Sequence, residues 1–190
     1  MPRRKTTFEP GRYYHLYNRG NNRQNIFFER DNYLFFLRQL RCYLVEDTLH
    51  VIAYCLMPNH YHLLVYLRKE NLSARMGLLS LSYTKAMNQR HERCGALFQG
   101  PFQAIQVDQK AYLLNLSRYI HLNPVKAELV ERAEDWEFSS YPDYVELRRG
   151  TLPRFAEVRR HVGTAQDYEA FVGASDYRQQ TAMQHLMFDE

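Results

Sequence analysis

Residues 50–65 read HVIAYCLMPNHYHLLV. Two apolar runs flank Met57-Pro58-Asn59, which is turn chemistry. The first run, Leu49 to Leu56, is apolar on both faces, as a central strand should be. The second, His60 to Leu67, reads as its strand partner, and the two form a hairpin. Upstream, Asp31 can cap a helix running to about Val45, with Tyr33, Leu37, Leu40 and Leu44 as its buried stripe. Before it, Tyr13 to Arg19 alternates and is rich in aromatics, so it reads as a strand, ended by a Gly20-Asn21-Asn22 turn. Downstream, Leu72 to about Arg93 carries a helical stripe of Leu72, Met76, Leu79, Tyr83 and Ala86. Phe102 to Val107 is a fourth strand. Asp108 can cap a third helix bearing Leu113, Leu116 and Ile120, and Pro124 is expected to end it near Asn123.

The order is β-α-β-β-α-β with one added helix. That predicts an α+β, ferredoxin-like (RRM-like) antiparallel sheet with helices packed mainly on one face. Residues 1–145 are expected to form the functional domain. Trp136, Phe138, Tyr141 and Tyr144 supply a short cover on its core. Residues 146–190 are expected to be an acidic, helical C-terminal appendage.

With 45% hydrophobic residues, the 190-residue chain is not of the disordered class. No apolar run reaches the roughly 18–20 residues of a membrane span. The basic start, Met1-Pro2-Arg3-Arg4-Lys5, is followed by no apolar stretch and does not read as a secretory signal. Cys42, Cys55 and Cys94 form no C-x-x-C pair, which argues against a disulfide framework or zinc cluster and for a reducing, cytoplasmic setting. Cys55 reads as a small buried hydrophobe.

The net charge of +4 conceals an asymmetry. Residues 1–127 hold 18 Lys/Arg against 8 Asp/Glu, whereas residues 128–190 hold 7 against 13. Arg outnumbers Lys 20 to 5, which favours planar, bidentate phosphate contacts. An anionic partner for the basic part and a merely solvated basic surface both fit these numbers. The acidic part is expected to pack across the basic face or the active site and to temper non-specific binding.

His60 and His62 stand two apart in a strand, so both imidazoles share one face and Tyr61 takes the other. Two such histidines can share a divalent metal, but strand histidines also pack or face solvent, and the pair alone leaves both readings open. Tyr119 and Asn123 are one helical turn apart on one face. If that helix lies beside the strand, Asn123 brings a carbonyl oxygen to the same metal and Tyr119 presents its phenol there. Taken alone, Tyr119 is one of 15 tyrosines, and packing is the simpler reading.

The strings YHLYNRGNNRQNIFF (14–28), HVIAYCLMPNHYHLLV (50–65), LFQGPF (97–102) and YIHLNPVKAELV (119–130) resemble the REP-associated tyrosine transposases of bacteria. These belong with the single-tyrosine HUH transposases of small insertion sequences. The resemblance covers about residues 10–145 and implies a site position by position. His60 and His62 match the HUH pair, with Tyr61 as the middle residue. Tyr119 matches the nucleophile, and Asn123 the third metal ligand. It further implies a divalent metal, magnesium or manganese. Imidazole ligands make manganese chemically comfortable and leave zinc open. The implied activity is cleavage and strand transfer of single-stranded DNA at REP-type hairpins through a covalent 5′-phosphotyrosine. The implied partner is a DNA hairpin with a flanking single-stranded guide sequence, bound by a nucleoid-associated protein that is a monomer rather than a dimer. The alternative is a non-cleaving hairpin-binding protein on the same fold. A third reading is a metal-dependent hydrolase of another phosphate ester.

DNA contacts are expected from Arg3, Arg4, Lys5, Arg12, Arg19 and Arg23, and from Arg75, Lys85 and Arg93 on the second helix. Asn18, Asn21 and Gln99 offer amide edges for base reading. Tyr13, Tyr17, Phe98 and Phe102 stack bases or, more simply, pack in the core. His15 is expected to pack or touch a base rather than bind metal. His121 is expected at the surface, and Arg148-Arg149 in a solvated loop.

Overall fold

The structure is a computed structural model and describes residues 7–174. Four strands, β1 (Tyr13–Arg19), β2 (Leu49–Met57), β3 (His60–Leu67) and β4 (Gln103–Val107), form one antiparallel sheet in the order β2-β3-β1-β4. Helices α1 (Arg30–Leu40) and α2 (Leu72–Arg90) occupy the two crossovers, so the ferredoxin-like order read from the sequence is the order observed. Helices α3 (Lys110–Lys126), α4 (Tyr141–Tyr144), α5 (Ala156–Val162) and α6 (Ala165–Gly173) follow. Among the described residues no helix is long and apolar enough to cross a membrane.

The apolar character of β2 on both faces has a structural reason: the sheet separates two cores. Tyr14, Leu16, Tyr61, Leu63 and Val65 point toward α1 and α2 and meet Phe36, Leu40, Met76 and Tyr83. Leu64, Cys55 and Met57 point the other way, toward Leu116 and Ile120 of α3 and Val158, Tyr168 and Val172 of α5 and α6. Each such buried aliphatic side chain contributes roughly 1.5–3 kcal/mol. A register irregularity between Val51 and Ala53 lets Ile52 and Ala53 both join the second core. The added α3 and the C-terminal helices therefore cover the face opposite the two crossover helices.

Element ends differ from expectation where tertiary contacts decide. Asp31 does not cap α1. The helix begins after Glu29, and Asn32 Oδ1 accepts from the backbone N–H groups of Phe28 (3.0 Å) and Glu29 (3.3 Å). Chain from Arg41 to Val45 continues as a single wide π turn. Helix α2 stops at Arg90 rather than Arg93. Gln109, not Asp108, precedes α3. That helix passes through Pro124 to Lys126, with Ala127 N–H reaching Asn123 O at 3.0 Å. Proline disfavours helix in the residue before it. Here Ile120, His121, Asn123 and Pro124 are all buried, and their packing outweighs that local preference.

Of the described tail, residues 146–155 are irregular chain, and the helices that follow, α5 and α6, share the second core with α3. The tail's acidic Glu157 meets the phenol of Tyr13, which donates to Glu157 Oε2 at 2.8 Å. Burial, helped by this carboxylate, pushes the Tyr13 phenol up to about 12.

Candidate active site

Strand β3 pairs with both β2 and β1, and its even-numbered residues face α3. Tyr17 stands opposite His62, and His15 opposite Leu64, so His15, Tyr17 and His62 share that face. Helix α3 packs against β2 and β3. This brings Asn123 Oδ1 to 3.3 Å from His60 Nε2 and the Tyr119 ring, edge to face, to 5.6 Å from the His62 ring. The His60 and His62 rings are 5.0 Å apart. His60, His62 and Tyr119 thus line one cleft of about 370 Å³ together with Arg19, Arg23 and Asn59, and the buried Asn123 adjoins it through its contact with His60.

The hydrogen bonds around His60 specify its proton. Asn59 Nδ2 donates to the Arg23 carbonyl at 3.3 Å, which turns Asn59 Oδ1 toward His60. Both His60 nitrogens face amide oxygens, which only accept, and a neutral ring has one proton to give; the shorter contact, 2.6 Å from Nδ1 to Asn59 Oδ1, favours Nδ1–H as the donor. Burial holds the His60 imidazole down at about 4, so the ring is neutral at pH 7 and its Nε2 is bare. That bare nitrogen faces Asn123 Oδ1, another acceptor. Two lone pairs aimed at each other across 3.3 Å fit a shared cation. Burial also holds His62 well below its ordinary value, which favours the neutral imidazole that could ligate a metal. Its Nδ1 lies 2.9 Å from His15 Nε2, leaving Nε2 for the cleft. Among the described residues no three His, Cys, Asp or Glu side chains converge for a metal, so the donors that could hold one here are two imidazoles and an amide oxygen.

The expected DNA contacts separate into groups. Arg19 and Arg23 line the cleft, and Arg19 donates to Gln99 Oε1. Asn21 sits beside them, its backbone N–H donating to Leu97 O at 2.9 Å. Asn18 is 3% exposed and gives its amide to Gly100 O at 3.0 Å, so its side chain serves the fold locally. Arg12 is exposed and paired with Glu9 at 3.4 Å. Arg75 and Lys85 belong to α2, across the sheet from the cleft. Arg93 follows α2, lies over the Phe28 ring at 5.2 Å and donates to Gln24. Arg3, Arg4 and Lys5 lie outside the described residues. Phe98 and Phe102 are core residues, and Tyr17 is half-buried beside His15.

Two expectations are corrected. His121 is fully buried, not at the surface, because α5 and α6 cover that side of α3. Arg148 is not in a solvated loop: it donates to Asp143, Ser139 O and Tyr54 Oη. Three residues near the site had no clear role in the sequence. His15 could be found only through strand register, Asn59 only through the turn that aims it, and Lys126 only because α3 continues past Pro124. Lys126 Nζ lies 4.7 Å from the centre of the Tyr119 ring.

A relative from Haemophilus influenzae, assigned as a REP-associated tyrosine transposase, is 30% identical over 101 residues, 47% of this chain and 57% of the relative. The chain therefore matches little more than half the length of that relative. The solved structure of a REP-associated tyrosine transposase bound to a REP hairpin superposes with a TM-score of 0.65. It covers 82% of this chain and 96% of its own, at 17% identity, a likeness of fold. The family profile described as IS200-like transposase matches residues 10–123. That span runs from β1 to Asn123 and contains both histidines, the tyrosine and the asparagine, and on it the chain belongs to the IS200-like transposase family.

Proposed function

We propose that this protein is a metal-dependent single-stranded DNA endonuclease and strand transferase acting at REP-type hairpins. The observation that carries the reading is that His60, His62 and Tyr119 share one cleft with Arg19 and Arg23, with Asn123 against His60. In the proposed step Tyr119 Oη attacks a backbone phosphorus in line. The tyrosyl O–P bond forms, the P–O3′ bond breaks, the phenol gives up its proton and the departing 3′-oxygen gains one. The protein keeps a 5′-phosphotyrosine. A free 3′-OH attacking that ester reverses the step, which gives strand transfer without hydrolysis.

His60, His62 and Asn123 would hold a magnesium or manganese ion, with manganese the better match to imidazole. When bound, such an ion supplies Lewis-acid neutralisation of charge on the scissile phosphate. Arg19 and Arg23 orient the phosphates that flank it, and the Asn-rich turn after β1 offers amide edges to unpaired bases of a guide sequence. The protein acts as a monomer associated with the nucleoid.

The test uses a labelled REP hairpin with its single-stranded flank, incubated with the protein and manganese. A denaturation-resistant adduct is expected from the wild type. Tyr119→Phe is expected to bind the hairpin with near-normal affinity and to form none. Hairpin binding by the wild type without any adduct would instead support a non-cleaving binder, and free phosphate ends without an adduct would support a hydrolase.

A further inference from the structure

We propose that His15 is a positioning residue for the site: it accepts the Nδ1 proton of His62 and so presents His62 Nε2, bare, to the cleft. The inference rests on the metal-binding reading above and extends it to a residue that reading does not use.

His15 is fully buried in the middle of β1, on the face shared with His62. Its Nε2 is 2.9 Å from His62 Nδ1, and the two ring centres are 5.1 Å apart with their planes 24° from parallel. With Nδ1 engaged, His62 can reach a metal only through Nε2. A neutral imidazole has one proton, and a ligating nitrogen cannot hold it. The proton therefore sits on Nδ1 and is donated to His15 Nε2.

This places the single proton of neutral His15 on its own Nδ1. That atom is buried and has no hydrogen-bond partner. Leaving a buried polar atom unpaired costs stability, and such atoms in native folds call for an explanation. Either proton order leaves this atom unpaired, so the orphan marks a histidine whose hydrogen bonding is committed to His62. The reverse order would aim an N–H of His62 into the cleft, toward any cation there. His60 supplies an internal parallel. Asn59 Oδ1 takes its Nδ1 proton and leaves Nε2 bare toward Asn123. His15 does for His62 what Asn59 does for His60. An outer partner of this kind sets ring orientation and ligand basicity, and its loss typically weakens metal binding roughly 10- to 100-fold.

The test has two arms on the full chain. Long-range proton–nitrogen NMR correlations on the Mg2+-loaded wild type read the tautomer of His62 directly, and the expected proton is on Nδ1. Manganese affinity, read from the EPR signal of free Mn2+, is compared among wild type, His15→Leu and His15→Gln. His15→Leu keeps the bulk and removes the acceptor, and is expected to bind Mn2+ roughly 10- to 100-fold more weakly. His15→Gln restores an acceptor oxygen and is expected to recover part of the loss. Should His15→Leu fail to fold, the wild-type spectrum and the glutamine variant still decide. An Nε2–H tautomer of His62, or wild-type manganese affinity in a folded His15→Leu, would overturn the proposal. A wild type that binds no Mn2+ and forms no Tyr119 adduct would overturn the metal reading itself, a result distinct from either.

Discussion

Lys126 holds its ammonium 4.7 Å from the centre of the Tyr119 ring, two helical turns along α3 from the tyrosine. A cation over an aromatic face is attracted by the ring quadrupole, and the attraction grows as the phenol acquires negative charge. Lys126 is exposed, so the contact is worth about 0.5–1 kcal/mol. Lys126→Gln is accordingly expected to slow adduct formation about 2- to 5-fold at saturating hairpin, and Lys126→Arg to retain most of the rate. Single-turnover adduct kinetics check this, and an unchanged Lys126→Gln rate would contradict it.

The helix that carries Tyr119 is tied down by a buried polar chain. His121 Nδ1–H donates to Tyr168 Oη (2.8 Å), Tyr168 donates to Ser117 Oγ (3.1 Å), and Ser117 donates to Leu114 O (2.8 Å). On its other side His121 Nε2 accepts from Ser140 Oγ at 2.7 Å, and Ser140 Oγ accepts from Tyr54 N–H. Every atom in the chain is satisfied. Tyr168→Phe would leave His121 and Ser117 short of a partner in the core, at a cost of about 1–3 kcal/mol. Urea unfolding should show the midpoint falling with the slope unchanged.

Buried histidines make the fold sensitive to mild acid. Burial holds His15 and His121 at about 3 and His60 at about 4, against 6.5 in an unfolded chain. Between these values the unfolded state binds more protons than the folded one, so stability rises with pH there. It is complete above about 6.5 and is lost as the pH falls toward 4, before most carboxylates protonate. The urea midpoint is expected to drop steadily from pH 6.5 to 4.5, and a flat profile over that window would refute the buried-neutral assignment.

Asp143 is 1% exposed and is held by Arg148 and by the backbone N–H of Gly150 at 2.7 Å. Arg148 also donates to Ser139 O, clamping the segment that carries Ser140. Removing one partner of a buried ion pair strands the other charge, at about 3–5 kcal/mol. Arg148→Met should lose about 3 kcal/mol, and the double variant Arg148→Met/Asp143→Asn should regain part of it. A thermal or denaturant double-mutant cycle measures the coupling.

How far the sequence reads is visible in particular residues. The hairpin of 50–65, the strand Tyr13–Arg19 and the two crossover helices follow from local periodicity and turn chemistry, and their order specifies the sheet. The shared face of His60 and His62 follows from the period of a strand, and that of Tyr119 and Asn123 from the period of a helix. Those properties are local, and a linear reading reaches them.

What brings the two pairs together is not local. The approach of α3 to β3 depends on the second core, which α5 and α6 complete from a segment whose sequence signal is weak. The same packing carries α3 through Pro124, buries His121 and places Lys126 beside Tyr119, against propensities that favoured an earlier end and a surface histidine. Likewise, His15 meets His62 only because β1 pairs with β3 in one register, and Arg148 finds Asp143 only when the chain after α4 folds back. By itself, the sequence determined the strand and helix order and which residues could do chemistry. The tertiary structure decided their distances and proton order, because these depend on long-range burial and pairing, which no local pattern encodes.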